Sequence, residues 1–296
     1  MDNSREVTVS IGLPTYNRAH LLSRAIESVL AQSFTDFELI VVDDGSTDNT
    51  EELVKSFQDG RIRYLKHENN RGLMASRNTA LRESHGKYLA FQDSDDWWRP
   101  DFLKENIHLL EDAPQSVGGV YARIEKQYFD GKKYFFPDMD NVSVEGNLLE
   151  TFLGGGYLVT LQAFVMRKSC LEKVGIFDEQ FRVFGDAEFI IRFAGYYEFR
   201  FNPHVRASLE VQKDSISRDK KGRLESRELL YQKHKTSFEK FPAAHAKYLA
   251  DLAVSLAKNG EKEKARLYAK SAVTIRPWRI DYWLRARLTP FTTSSR

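Results

Sequence analysis

The feature that most restricts how this chain can fold is the alternation of short apolar strands with amphipathic helices through its first hundred residues. Val7, Val9, Ile11 and Leu13 alternate with small or polar residues and read as a strand, which Pro14 and Asn17 end. Leu21, Leu22, Ala25, Ile26, Val29 and Leu30 then recur at helical spacing. Phe37 to Val42 is a second strand, cut off by Asp43-Asp44-Gly45-Ser46. The next helix turns Leu53, Val54 and Phe57 inward, with Ser46 or Asp48 expected as its cap. Ile62 to Leu65 reads as a strand, and Leu73 to Arg82 as a helix entered through Gly72. Tyr88 to Phe91 is a fourth strand running into Asp93-Ser94-Asp95-Asp96, and Pro100 is expected as the first residue of the following helix. Such alternation predicts an α/β fold with a mostly parallel sheet covered on both faces. Ligands of such sheets bind outside the carboxyl ends of the strands, and both acidic clusters fall there.

Past residue 117 the pattern changes to a hairpin around Asp130-Gly131, then Gly154-Gly155-Gly156, a strand over Gln162 to Arg167 and a helix over Asp186 to Gly195. Phe199 to Phe201 reads as a short strand, and His204, after Asn202-Pro203, as a loop residue. From about Lys221 everything reads as helix, with breaks near Pro242, Gly260 and Pro277, so the boundary is placed at residue 218. A net charge of +2 gives no field for nucleic acid, and any attraction for phosphate must be local. The single cysteine, Cys170, excludes an intramolecular disulfide, and its apolar flanks predict a buried structural thiol. No apolar run approaches the roughly 20 residues that span a bilayer, and a cytoplasmic protein is expected.

Carboxylates packed as closely as Asp93, Asp95 and Asp96 repel one another, and folding them together favours a cation. Hard oxygen ligands select Mg²⁺ or Mn²⁺, with substrate phosphates completing the octahedron. A solvated turn leading to the next helix is the alternative. Asp43-Asp44-Gly45-Ser46 fits base or ribose recognition and a capped turn equally well. Tyr16 fits stacking on a flat base or packing in the core, and Asn17 fits a helix cap.

Four pieces in order, Pro14-Thr15-Tyr16-Asn17-Arg18, Val41 to Asp48, Asn70-Arg71-Gly72 with Arg77-Asn78, and Asp93 to Asp96, resemble family 2 glycosyltransferases. The likeness is specific over residues 7 to 103 and looser to 218, through Glu172 to Glu179 and Gly185-Asp186 with Arg192, which is similar to the family's "ED…R" motif. The resemblance implies a GT-A (Rossmann-like) sheet flanked by helices, with a nucleotide-binding half over 1–103, an acceptor-binding half over 104–218 and a helical extension over 219–296. It implies an inverting transfer from a nucleotide-diphosphate sugar, UDP-linked in the first instance, to a hydroxyl of a glycan or lipid-linked acceptor. The Gln-x-x-Arg-Trp signature of processive synthases is absent, as are membrane spans, so a non-processive transfer is expected. The donor nucleotide would lie against Pro14, Tyr16 and Arg18, with Asp44 on the base and Arg71 on the base or diphosphate. Arg77, Asp93 and Ser94 complete that set, Asp95 would ligate the metal, assisted by Asp93, and Asp186 would be the general base.

The chain departs from the family pattern in two places. Gly185 stands where a carboxylate is usual, and Gln212, before Ser215-Ile216-Ser217, where many members carry a metal-binding histidine. These departures leave a silent nucleotide-sugar-binding module as one alternative. A nucleotidyltransferase is another, though Pro14 to Asn17 lacks the glycine-rich phosphate loop usual there. The tail residues Leu252 to Val273 resemble one tetratricopeptide-like helix pair, which must bury its face on the core or in a homodimer. A last helix near Trp278 to Leu288 mixes aromatic and basic residues, and fits docking on the core or peripheral contact with anionic lipid.

Overall fold

The computed structural model describes residues 7–128, 130–138, 144–156, 158–210, 219–279 and 281–282. Its strands are β1 (Val9–Thr15), β2 (Phe37–Asp43), β3 (Ile62–Lys66), β4 (Tyr88–Phe91), β5 (Trp97–Trp98), β6 (Val117–Gln127), β7 (Lys133–Phe136), β8 (Phe164–Arg167) and β9 (Glu198–Glu210). The helices of the first unit are α1 (Ala19–Leu30), α2 (Thr50–Ser56), α3 (Leu73–Arg82), α4 (Phe102–Glu111), α6 (Leu171–Val174) and α7 (Gly185–Ala194). α5 (Leu149–Leu153), α8 (Lys220–Lys233), α9 (Lys235–Glu239), α10 (Pro242–Lys258) and α11 (Lys262–Ile275) belong to the second. The units are Met1–Leu148 with Leu158–Ser215, and Leu149–Tyr157 with Ile216–Arg296. The short segment around α5 thus belongs to the helical unit.

The sheet of the first unit runs β3-β2-β1-β4-β8-β6-β9-β5, with β7 on β6. β3, β2, β1 and β4 are mutually parallel, while β8 is antiparallel to β4 and β6. Every residue of β1 and β2 is buried because helices cover both faces; β2 meets this with an apolar run from Leu39 to Val42, and β1 with small Ser10 and Gly12 between its apolar residues. Val9, Ile11 and Leu13 share one core with Leu22, Ile26 and Val29 of α1 and with Phe102, Leu103 and Ile107 of α4. The chain moves outward from β1 to β2 and β3, then returns to place β4 on the other side of β1. That reversal opens a crevice at the carboxyl ends of β1 and β4, the usual ligand position in such sheets.

Several local expectations are corrected. β9 is thirteen residues long, not a short piece at Phe199 to Phe201, and it carries His204. Register shifts opposite Ala122 and Arg123 let β9 continue past Pro203, which has no N–H for the ladder. α4 begins at Phe102 with Asp101 as its N-cap residue, so Pro100 lies outside it. α2 has Asn49 at its N-cap without a side-chain bond. Asp48 instead accepts from Ala19 N at the start of α1 (3.1 Å), as well as from Thr50 N and Oγ1. The hairpin around Asp130-Gly131 is formed by β6 and β7. Cys170 is buried against Gly118 O, and burial pushes its thiol up to about 11.

In the second unit α10 and α11 pack together, burying Leu252, Ala253 and Leu256 against Ala265, Ala269 and Ala272. Tyr231, Phe238, His245 and Tyr248 form an aromatic cluster, in which burial lowers the His245 pKa. Of the last helix expected near Trp278 to Leu288, Trp278 is exposed and Tyr282 buried, and residues beyond 282 lie outside those described. No helix among the described residues is long and apolar enough to cross a membrane.

Candidate active site

At the carboxyl ends of β1 and β2 two turns are stitched together. Asn17, at φ 51°, donates its N–H to Ser46 Oγ (2.9 Å) and accepts from Thr47 N through Oδ1 (2.9 Å). Asn17 is thus spent on the neighbouring turn, and Arg18 takes the N-cap position of α1. Tyr16, just past β1, is 44% exposed, so its ring is presented to solvent and not packed in the core.

The two adjacent aspartates do different work. Asp43 is fully buried, closing its own turn through Ser46 N (2.7 Å) and receiving the Tyr64 hydroxyl (2.5 Å). Burial first, then this bond, pushes the Tyr64 pKa far up. Asp44, 4% exposed, accepts from Arg71 N (2.9 Å) and Gly72 N (2.8 Å) and contacts His67 Nδ1 (2.6 Å). His67 Nε2 reaches Thr79 Oγ1 on α3 (2.9 Å). The Asp44 carboxylate therefore fixes the 67–72 loop, leaving the Arg71 side chain exposed at its tip. Gly45 is required there: its φ is +81°, and a Cβ would lie 2.9 Å from the Asn69 carbonyl carbon.

The acidic loop after β4 is shared among several partners. Asp93 receives Arg77 Nη2 (3.0 Å) on one oxygen and Gln162 Nε2 on the other. Arg77 is almost wholly buried on α3, its guanidinium 5.7 Å from the Phe177 ring centre. Asp95 is 24% exposed, with Oδ2 3.9 Å from the Arg18 guanidinium, and Ser94 is half-buried between these carboxylates. Asp96 is buried and accepts from Glu210 N (3.0 Å), so it holds the end of β9 and caps no helix. Burial, then the charges of Asp95 and Asp93, raises its pKa well above the carboxylate range. Arg24 ties the same strand end to the loop, donating to Asp95 O (2.9 Å) and the Glu210 carboxylate (2.6 Å).

Next to this loop, buried Thr15 Oγ1, both polar atoms of the Gln92 side chain and Arg77 Nε find no hydrogen-bond partner among the described residues. Buried polar groups are nearly always satisfied, so Thr15 at the carboxyl end of β1, Gln92 just after β4 and the Asp93 partner Arg77 are candidates to bind a polar ligand. Gln92 and His67 escaped sequence reading, since neither residue type is distinctive beside the aspartates. The signal for Gln92 was available: a polar residue ending a buried strand.

Asp186 lies in the first turn of α7. Phe184 adopts φ 62°, and α7 starts at Gly185, with Asp186 Oδ1 accepting from Ala187 N (2.9 Å). Any Cβ at position 185 would run into Met74 Sδ and Cγ on α3. The carboxylate missing from position 185 is thus replaced by a thioether packed against the glycine. Asn78 of α3 brackets Phe177 through both backbone groups (N–H 2.9 Å, O 3.0 Å) and donates to Glu179 (2.8 Å). Arg192 pairs with buried Glu188 (2.7 Å) and donates to Ile176 O (2.8 Å) and Val174 O. One helix, α3, therefore carries the Asp93 partner Arg77, the Phe177 clamp Asn78 and the Gly185 contact Met74.

Among the described residues, no group of three or more His, Cys, Asp or Glu could hold a metal alone. His204 contacts Glu105 on α4 (3.1 Å), and Gln212 and Ser215 to Ser217 lie outside the described residues. With Asp93 engaged on both oxygens, the donor set fits a hard cation that takes one or two carboxylates here and phosphate oxygens from its substrate.

The chain matches the family description "Glycosyl transferase family 2" over residues 10–179, more than half of its 296 residues. It is 44% identical over 117 residues to the Escherichia coli UDP-Glc:alpha-D-GlcNAc-diphosphoundecaprenol beta-1,3-glucosyltransferase WfgD, covering 40% of this chain and 46% of that protein. The first two curated relatives that it matches are spanned over only 22% and 46% of their own length. Staphylococcus aureus TarS 1-349 in complex with UDP-GlcNAc superposes with TM-score 0.65 at 18% identity, covering 95% of this chain and 90% of that one. The mannosyltransferase PcManGT from Pyrobaculum calidifontis, in complex with GDP-Man and Mn²⁺, gives 0.61 at 20%, covering 98% and 89%. These structural likenesses establish a GT-A-like fold. The match over residues 10–179 places the chain in glycosyl transferase family 2.

Proposed function

We propose that this protein is an inverting, non-processive glycosyltransferase that moves a sugar from a UDP-sugar to a hydroxyl of a glycan or lipid-linked acceptor in cell-surface polysaccharide synthesis. The observation that carries the reading is the role of α3, which grips Asp93 through Arg77 and seats the Asp186 turn against Met74. Donor and acceptor chemistry thereby share one rigid element. Tyr16 stacks on the base beside Pro14, while Asp44 acts on it directly or through the loop that presents Arg71. Arg18, Arg77, Asp93 and Ser94 line the ribose and diphosphate.

Asp186 accepts the proton of the acceptor hydroxyl as that oxygen attacks the anomeric carbon from the face opposite the diphosphate. The carbon–diphosphate bond breaks, nucleoside diphosphate departs and the configuration inverts. A positioned base of this kind contributes about 10²–10⁴-fold. Asp95, with Asp93, would hold Mn²⁺ or Mg²⁺, and such an ion offsets the charge developing on the leaving diphosphate. A UDP-Glc enzyme acting on a diphosphoundecaprenol-linked sugar among the relatives supports the lipid-linked acceptor and a position at the cytoplasmic face of a membrane. The nucleotide complexes among the structural neighbours support the donor class.

The test is nucleoside diphosphate release from a panel of nucleotide sugars, with Mn²⁺ and a GlcNAc-diphospholipid acceptor, for the wild type and Asp186→Asn. The expected result is release from a UDP-sugar that falls by two or more orders of magnitude in the variant, with UDP binding retained. Undiminished release removes Asp186 as the base. UDP binding without turnover of any donor points to the silent binding module, which the filled position at Gly185 would favour.

A further inference from the structure

The β6–β7 hairpin presents aromatic and cationic side chains that nothing in the transfer reaction uses. Tyr134 is 56% and Phe135 48% exposed, on a strand where Lys133 is also exposed and Phe136 half-buried. Among the described residues β7 pairs with β6 alone. Tyr134 meets Tyr128 edge to face (centroids 5.6 Å), and Lys126 lies 5.6 Å from the Tyr128 ring centre. Arg123 lies 5.5 Å from the Phe135 ring centre. Lys132 and Lys133 follow Asp130-Gly131 with 68% and 50% of their side chains exposed. Over residues 123–135 the cations Arg123, Lys126, Lys132 and Lys133 outnumber the acids Glu125 and Asp130; buried Glu125 pairs with Lys133 (2.9 Å) and Asp130 with Lys132 (3.0 Å).

We propose that this hairpin is a membrane-contact surface that takes the headgroup region of a bilayer rich in anionic lipid. Exposed edge strands are usually protected by lysines, which accounts for Lys132 and Lys133 but not for the exposed rings of Tyr134 and Phe135 that follow them. Tyrosine and phenylalanine beside lysines are the combination that a water–hydrocarbon boundary stabilises. The rings enter the interface while the ammonium groups reach lipid phosphates. A lipid-linked acceptor gives the contact a purpose, and in that respect alone it rests on the function proposed above.

The test is co-sedimentation with vesicles of phosphatidylglycerol and phosphatidylcholine against phosphatidylcholine alone, with UDP titration on the same preparations to establish an intact fold. The wild type should bind the anionic vesicles in a salt-sensitive way. The Lys126→Gln/Lys132→Gln variant should bind about thirtyfold more weakly, from two lysines near an anionic surface. Tyr134→Ser/Phe135→Ser should lose binding that survives high salt. Absence of wild-type binding to anionic vesicles, or undiminished binding in both variants, overturns the proposal. So does loss in Tyr134→Ser/Phe135→Ser of self-association or of glycan binding in place of vesicle binding. Because the vesicles carry no acceptor, a negative result leaves the transferase reading standing. Failed transfer with intact vesicle binding does the reverse.

Discussion

Replacing Asp44 with asparagine isolates the claim that this carboxylate works through the loop it holds. Asp44 faces His67 Nδ1 at 2.6 Å, Arg71 N at 2.9 Å and Gly72 N at 2.8 Å, in a site closed to water. Hydrogen bonds to a charged group contribute about 1.5–3 kcal/mol each. An amide keeps one oxygen acceptor and turns an NH₂ toward at least one backbone N–H, so a donor faces a donor. The net loss should be about 2–4 kcal/mol. At about 2–4 °C per kcal/mol for a unit of this size, the melting temperature falls by roughly 5–15 °C. Arg71 is carried on the freed loop, so UDP affinity should fall as well. Thermal unfolding followed by circular dichroism, with calorimetric UDP titration below the transition, reads both effects. An unchanged melting temperature would refute the assignment of Asp44 to the loop, whatever happened to UDP binding.

Three further outcomes are expected. Gly185→Ala puts a methyl into Met74 and should cost about 1–3 kcal/mol as overpacking. Combining it with Met74→Ala should cost less than the two single changes summed, in urea titrations, and strict additivity would mean that the contact is absent. Glu105 is held down to about 2, chiefly by Arg206 and then by His204 and Asn202, from an ordinary 4.5. Its contribution is complete above that ordinary value and is lost as pH falls toward 2, because the unfolded chain protonates first. The stability gap between wild type and Glu105→Gln should therefore narrow from about pH 6 to about pH 3, and a constant gap would contradict the ion pair. Buried Cys170, with its thiol at about 11, should resist a thiol reagent at about pH 8 and react once urea unfolds the chain. Prompt reaction in the folded protein would place it at the surface.

The elements read most accurately from sequence were those whose apolar pattern leaves one option. Tyr88–Phe91 and Leu73–Arg82 are the observed bounds of β4 and α3, since a short buried run and a glycine-led helical repeat are both unambiguous. β9 was cut short at Asn202-Pro203, because a breaker pair looks final until its partner strand supplies bulges opposite it. Helix caps failed for a similar reason: Asp48 caps α1 from another turn, a partner 29 residues away.

The sequence by itself determined the alternating fold, the ordering of the acidic clusters at strand carboxyl ends and membership of a transferase class. These follow from periodicity and from motif order, which are properties of neighbours along the chain. Tertiary structure alone decided how the clusters divide their work. Asp43 and Asp96 became internal fasteners, Asp44 became a loop clamp, and Asp95 stayed partly exposed. Only folding revealed Met74 filling the place beside Gly185, and His67 and Gln92 within the site. A carboxylate's role depends on which donors reach it and how far water is excluded, and both are set by residues distant in sequence.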